Sequence, residues 1–169
     1  MLKIINDLKP FFNDCYRRIN VREYAKLMQI SPPTASKILA YYNAENLLLK
    51  GKYKNYLLFH ANKDSKSFID LSRMYWDYRL KDLAAFMEKK LTSPTIILFG
   101  SLSKAESKSD SDVDLAVFAH KKDLNIESLE KKIKRKIQIF WFKSLRDIKS
   151  LEIANNIING YILRGKASL

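Results

Sequence analysis

A single cysteine, Cys15, stands in 169 residues, so the chain can close no internal disulfide and offers no thiolate zinc site. Two histidines, His60 and His120, lie far apart, and neither zinc chemistry nor thiol redox is expected. Glycine and proline number four each. With no Gly/Ser tract and no repeat, any domain boundary runs through structured chain rather than a floppy linker. No apolar run approaches the roughly 18 uncharged residues of a membrane span. The opening MLKIINDLKPFFNDCYRR sets charges where a signal peptide needs an unbroken apolar stretch. The expected location is therefore cytoplasmic, with no membrane partner. Acid is also scarce: 18 Asp and Glu face 31 Lys and Arg, a formal net charge of +13.

What is present suits a folded protein, since 47% hydrophobic residues supply a packed core for one ordinary domain or two small ones. The positive excess attracts polyanions, either nucleic acid or nucleotide phosphates. It is steepest at the front, where residues 1–62 carry ten basic and four acidic side chains. Composition changes near Lys63 and near Thr92, which divides the chain into segments 1–62, 63–91 and 92–169.

In the first segment, Val21, Tyr24, Ala25, Leu27 and Met28 are spaced for the inner face of a short helix. Ser31 suits an N-cap and Pro32 the first position of a second helix, leaving Gln29, Ile30 and Ser31 as the turn. Ala35, Ile38, Leu39 and Tyr42 then point inward, while Pro33, Thr34, Ser36, Lys37 and Tyr41 are left outside. The following LLLKGKYKNYLLF reads as two strands joined around Gly51, with lysines close to the turn. Together these elements resemble a winged helix-turn-helix domain of the kind found in transcription regulators. The resemblance implies a double-stranded DNA partner, with Thr34, Ser36 and Lys37 meeting base edges or phosphates and Lys52 and Lys54 lying on the sugar-phosphate backbone.

Residues 66–91 place Phe68, Leu71, Tyr75 and Tyr78, then Leu80, Leu83, Phe86 and Met87, at helical spacing. This long connecting helix, with Trp76 on its other flank, carries apolar surface enough to pack between two modules or against a second subunit, so a homodimer is an expectation.

The third segment carries the chemistry. TIILF, a β-branched and aromatic run, ends at Gly100-Ser101; ten residues later comes DVDLAVF. A glycine after a buried strand lets a ligand approach, and the amides and hydroxyl of such a turn hold phosphate oxygens. Period-two alternation sends Asp112 and Asp114 to one face. Two converging carboxylates in a basic protein ask for a hard cation such as Mg²⁺. GSLSKAESKSDSDVD, flanked by apolar strands, is similar to the signature of the nucleotidyltransferase superfamily of DNA polymerase beta, and the short remaining segment resembles its minimal members, some of which pair with HEPN-type proteins. The resemblance implies an α+β chain whose C-terminal domain has a mixed sheet flanked by helices. It further implies that Gly100 and Ser101 contact a nucleoside triphosphate, with ATP the first candidate. Asp112 and Asp114 are then the catalytic residues and the ligands for Mg²⁺ or Mn²⁺, and a HEPN-like protein is a possible partner. Lys104 and Lys108, in the intervening loop, are solvated lysines within reach of a phosphate.

Two positions depart from the superfamily pattern. The later strand, RKIQIFWF, holds Gln138 where active members carry a third carboxylate, and a glutamine cannot act as a base near neutral pH. Ala105 stands where small relatives carry a glycine. Two readings follow. One is an enzyme that moves a nucleoside monophosphate to a protein or small-molecule hydroxyl and also binds DNA. The other is a DNA-binding regulator whose degenerate transferase domain senses nucleotide or contacts protein. The tail, with Leu145, Ile148, Leu151, Ile153 and Ile157 at helical spacing, is expected to be an amphipathic helix covering the sheet, preceded by a surface helix in IESLEKKIKRKI.

Overall fold

A computed structural model of the chain describes residues 2–166; the last three residues of the expected 92–169 segment lie outside the described part. Six α-helices and six strands are found among the described residues, an α+β composition. The chain divides into two compact units, one made of residues up to Tyr75 together with Ala105–Ser109, the other of Trp76–Lys104 and the chain from Asp110 onward.

In the first unit, helices α1 (Lys3–Asn13), α2 (Val21–Met28) and α3 (Pro32–Ala44) precede an antiparallel hairpin of β1 (Leu48–Tyr53) and β2 (Tyr56–Ala61). The α2–α3 turn follows from local chemistry. Gln29 adopts a left-handed conformation that ends α2, and the Ser31 hydroxyl accepts from the Thr34 amide to start α3 at Pro32. Leu8, Phe11, Phe12, Ile19, Tyr24, Leu39 and Phe68 are fully buried, and the Phe12 ring meets Phe68 at 5.0 Å and Tyr75 at 5.4 Å. Asp7 is enclosed here: its carboxylate accepts from the Tyr42 hydroxyl at 2.9 Å, and its carbonyl from the Tyr24 hydroxyl at 2.9 Å. Burial raises both tyrosine hydroxyl pKa values well above the ordinary range. The inner face expected for α2 is narrower than its periodicity indicates, since Leu27 is exposed.

The hairpin corrects one expectation. Gly51 is paired with Leu58 inside the ladder, and the reversal falls at Lys54–Asn55, with Lys54 itself at φ +51°. The lysine tolerates a left-handed turn that glycine would adopt more cheaply.

The helix α4 (Lys66–Lys90) is continuous, its residues up to Tyr75 belonging to the first unit and the rest to the second. The second unit has a four-stranded mixed sheet in the order β5-β4-β3-β6. Strands β3 (Thr95–Phe99) and β4 (Val113–Phe118) are antiparallel, β4 and β5 (Ile137–Phe142) parallel, and β3 and β6 (Tyr161–Arg164) antiparallel. Helix α5 (Glu127–Ile133) leads into β5. One sheet face carries Ile97, Phe99 and Ala116 with Phe118, Phe140 and Phe142, covered by Ile157 of α6 (Leu151–Ile158) and by Leu145, Ile148 and Ile153. Ile96, Leu98, Leu115 and Val117 are buried on the other face, and Trp76, Leu80, Leu83 and Met87 of α4 are buried as well. The tail differs from the expected single helix. A 3₁₀ turn at Leu145–Asp147, the short α6 and the edge strand β6 replace it, and Leu151 is largely exposed.

Candidate active site

The polar end of one sheet face holds the chemistry. On that face Asp112, Asp114 and Gln138 continue the column that runs down to Ala116, Phe140 and Phe142, because side chains two apart on a strand share a face. Register puts Asp114 opposite Phe99 on β3 and opposite Gln138 on β5, so the second aspartate is central in the sheet. Asp112 precedes β4 by one residue. Phe99, opposite Asp114, and Phe140, one level further along that face, meet edge-on at 5.3 Å, and Asp114 is itself partly buried.

Gly100 opens a 3₁₀ turn, Gly100–Leu102, directly after β3, and its φ is +70°. A Cβ there would collide with Oδ2 of Asp114. The glycine is therefore required twice, once by its backbone and once by the carboxylate beside it. This packing reason differs from the ligand-approach reason read from sequence, and it places the turn in contact with the acidic pair. Ser101 is half-buried in the same turn, and the Ser103 hydroxyl donates to the Gly100 carbonyl at 2.9 Å.

Electrostatically the pair is uncompensated. The Asp114 carboxylate has no hydrogen bond and no ion pair among the described residues. Burial first, and the neighbouring Asp112 charge second, raise its carboxyl pKa. Asp112 accepts from a neutral donor, the Gln138 amide, at 2.5 Å. No group of three or more His, Cys, Asp or Glu side chains suited to a metal occurs among the described residues. The donor set is two carboxylates and an amide whose oxygen is available by a flip. Such an all-oxygen set fits one hard divalent cation, which would remove the repulsion that raises Asp114.

One support escaped the sequence reading. Arg135 donates to the carbonyl of Ser111, the residue before Asp112, and its guanidinium lies over the Trp76 ring at 4.9 Å. The signal was available, since Arg135 is the sole arginine beside four lysines in residues 131–136 and guanidinium, unlike ammonium, stacks and forks. Lys104 donates to Asn156 Oδ1 on α6 at 2.6 Å, and so is engaged rather than merely solvated. Lys108 and Ala105 belong to the segment 105–109 counted with the first unit, where Lys108 approaches the Tyr16 ring at 5.8 Å and the Ser107 hydroxyl donates to the Phe12 carbonyl at 2.8 Å. Ala105 is buried at φ +56°, so the loop keeps a glycine-like conformation without the glycine.

In the first unit, Thr34, Ser36 and Lys37 are exposed on α3, although the Thr34 hydroxyl is already shared with Ser31 at 2.8 Å. Lys52 and Lys54 are exposed, one on β1 and one in the turn.

Residues 81–168, just over half of the chain, match the family model described as polymerase beta, nucleotidyltransferase. No match to a curated protein or to a solved structure reaches significance.

Proposed function

The chain belongs to the polymerase beta nucleotidyltransferase family, and from that premise we propose that it transfers a nucleoside monophosphate, with ATP the foremost donor, to a hydroxyl on a protein or small molecule, and that its first unit binds double-stranded DNA as a winged helix-turn-helix. The observation that carries the transfer reading is the direct apposition of the Gly100 turn and the Asp112–Asp114 pair on one sheet face.

Asp112 and Asp114 would hold Mg²⁺ or Mn²⁺, which when bound neutralises charge on the triphosphate and on the departing pyrophosphate. Gly100 and Ser101 offer backbone amides and a hydroxyl to the phosphate oxygens. Gln138 anchors Asp112 and leaves its position fixed. The acceptor oxygen bonds to the α-phosphorus as the bond to the bridging oxygen of pyrophosphate breaks, and the acceptor proton passes to water because Gln138 has no basic lone pair at neutral pH. Transfer on this reading is slow compared with a site holding a third carboxylate.

The DNA reading is supported by the exposure of Ser36 and Lys37 on α3 and of Lys52 and Lys54 on the hairpin, in the segment with the steepest positive excess. One observation favours a second function. The Gln138 amide already occupies Asp112, which suits a regulator that binds nucleotide without turning it over. ATP labelled at the α-phosphate separates the two. Label on an acceptor that vanishes in Asp112→Asn supports the enzyme, and nucleotide binding without label transfer supports the sensor. A gel shift that weakens in Lys37→Ala and with added salt supports the DNA half; no shift at low salt contradicts it.

A further inference from the structure

The β1–β2 hairpin has two unlike faces. Cross-strand partners Leu48 and Ala61, Lys50 and Phe59, and Lys52 and Leu57 share one face, and its base is buried through Leu48, Phe59 and Ala61. The other face presents Leu49 with His60, Gly51 with Leu58, and Tyr53 with Tyr56. A solvent-side face of a hairpin ordinarily carries polar and charged side chains. Here it carries none that is charged by ordinary titration except His60, and burial together with Arg18 lowers the pKa of that imidazole. Tyr53 is 58% exposed and Tyr56 62%. The two are directly opposed across the closed end of the hairpin. At Gly51 a Cβ would meet nothing within 4 Å, so the surface beside the two rings is open.

Charge selects the occupant. Residues 46–63 contain Lys50, Lys52, Lys54 and Lys63 and not one Asp or Glu, and Lys54 reaches to 5.7 Å from the Tyr53 ring centre. Two copies of the hairpin brought together would oppose two acid-free, lysine-bearing segments. A polyanion would not. Within a duplex the flat faces of the bases are covered by their neighbours and only edges are offered, whereas exposed aromatic rings with a lysine beside them suit bases that are already unstacked.

We propose that the Leu49–Tyr53–Tyr56–Leu58 face is a stacking platform for single-stranded nucleic acid, with bases on Tyr53 and Tyr56 and a phosphate on Lys54 in the adjoining turn. This site shares Lys54 with the duplex reading of the hairpin but uses no residue of α3, and it is independent of nucleotidyl transfer.

Fluorescence anisotropy on the full chain tests it, with an oligothymidine of about twenty nucleotides, long enough for one binding site, and a duplex of equal length. Wild type binds the single strand. Tyr53→Ala and Tyr56→Ala each weaken it by about tenfold, the loss of one stacked base, while Tyr53→Phe and Tyr56→Phe keep it within about twofold. Gly51→Val fills the open surface in a backbone that accepts valine, and weakens single-strand binding without lowering the unfolding midpoint. Duplex affinity is unchanged by the tyrosine substitutions and falls in Lys37→Ala, so failure of either reading is seen separately. The proposal is overturned if wild type does not bind the single strand, if the alanine variants bind it as wild type does, or if the phenylalanine variants lose as much as the alanine ones. It is equally overturned if sedimentation shows a self-association that Tyr53→Ala abolishes, since the occupant is then a second copy.

Discussion

Replacing Gly100 with alanine perturbs the acidic site without touching a carboxylate. At φ +70° an L-residue costs about 1–2 kcal/mol of left-handed strain. Reduced freedom of the unfolded chain returns about 0.4–1 kcal/mol. The new methyl collides with Oδ2 of Asp114, and because the obstacle is a side chain, it can turn away at about 0.5–1.5 kcal/mol for an off-rotamer position. The sum is a loss of roughly 0.5–3 kcal/mol, each kcal/mol lowering Tm by about 4–8 °C for a unit of this size. The functional consequence is larger in proportion, because the displaced carboxylate no longer converges with Asp112. Mn²⁺ affinity falls by about tenfold or more, the scale of a lost support in a metal site. Gly165→Ala is the matched control. Its φ is +79°, and its Cβ would meet the Pro94 carbonyl at 2.7 Å and Thr95 Cα at 2.8 Å, obstacles made of backbone and away from the acidic pair. That variant loses at least as much stability while its folded fraction keeps wild-type Mn²⁺ affinity. Circular dichroism melts and a Mn²⁺ titration read both quantities. If Gly100→Ala binds Mn²⁺ as wild type does, or if both variants lose affinity equally, the turn does not position the carboxylate.

Gln138→Asp removes the amide that donates to Asp112 and adds a third hard oxygen ligand, so Mn²⁺ affinity and α-label transfer both rise; unchanged transfer despite tighter metal binding contradicts the role given to this position. Arg135→Lys gives up the stack on Trp76 and the forked geometry at Ser111, and lowers stability by about 1–2 kcal/mol, followed by tryptophan fluorescence during urea unfolding. Tyr24 and Tyr42 hold their protons more tightly when folded than unfolded, so their contribution to stability is complete below the unfolded value of about 10 and declines as pH rises past it. Urea midpoints taken from pH 8 to pH 11, limits set by that value, fall at the alkaline end in wild type and fall less in Tyr24→Phe.

Features set by neighbours in sequence were legible. Ser31-Pro32 announces the start of α3 because capping is local chemistry, and alternation alone puts Asp112 and Asp114 on one face. Gln138 was named through the superfamily resemblance, and the parallel ladder puts it opposite Asp114. What depended on distant contacts was not legible. Gly51 looks like a turn residue, yet the turn is made by Lys54 and Asn55, since a two-residue reversal is fixed by strand pairing rather than by the cheapest φ. Strand β6, four residues just after Gly160, is too short to announce itself in sequence and is made a strand by pairing with β3. The reason for Gly100 lies in the side chain of Asp114, which sequence distance conceals.

The central claim is that Asp112 and Asp114 together seat a divalent cation and the nucleotide it accompanies. Calorimetric titration with Mn²⁺ and a non-hydrolysable ATP analogue, on wild type, Asp112→Asn and Asp114→Asn, tests it most directly. The account predicts metal-dependent nucleotide binding in wild type that both variants lose while melting as folded proteins. Binding of equal strength in all three, or nucleotide binding indifferent to metal, contradicts it.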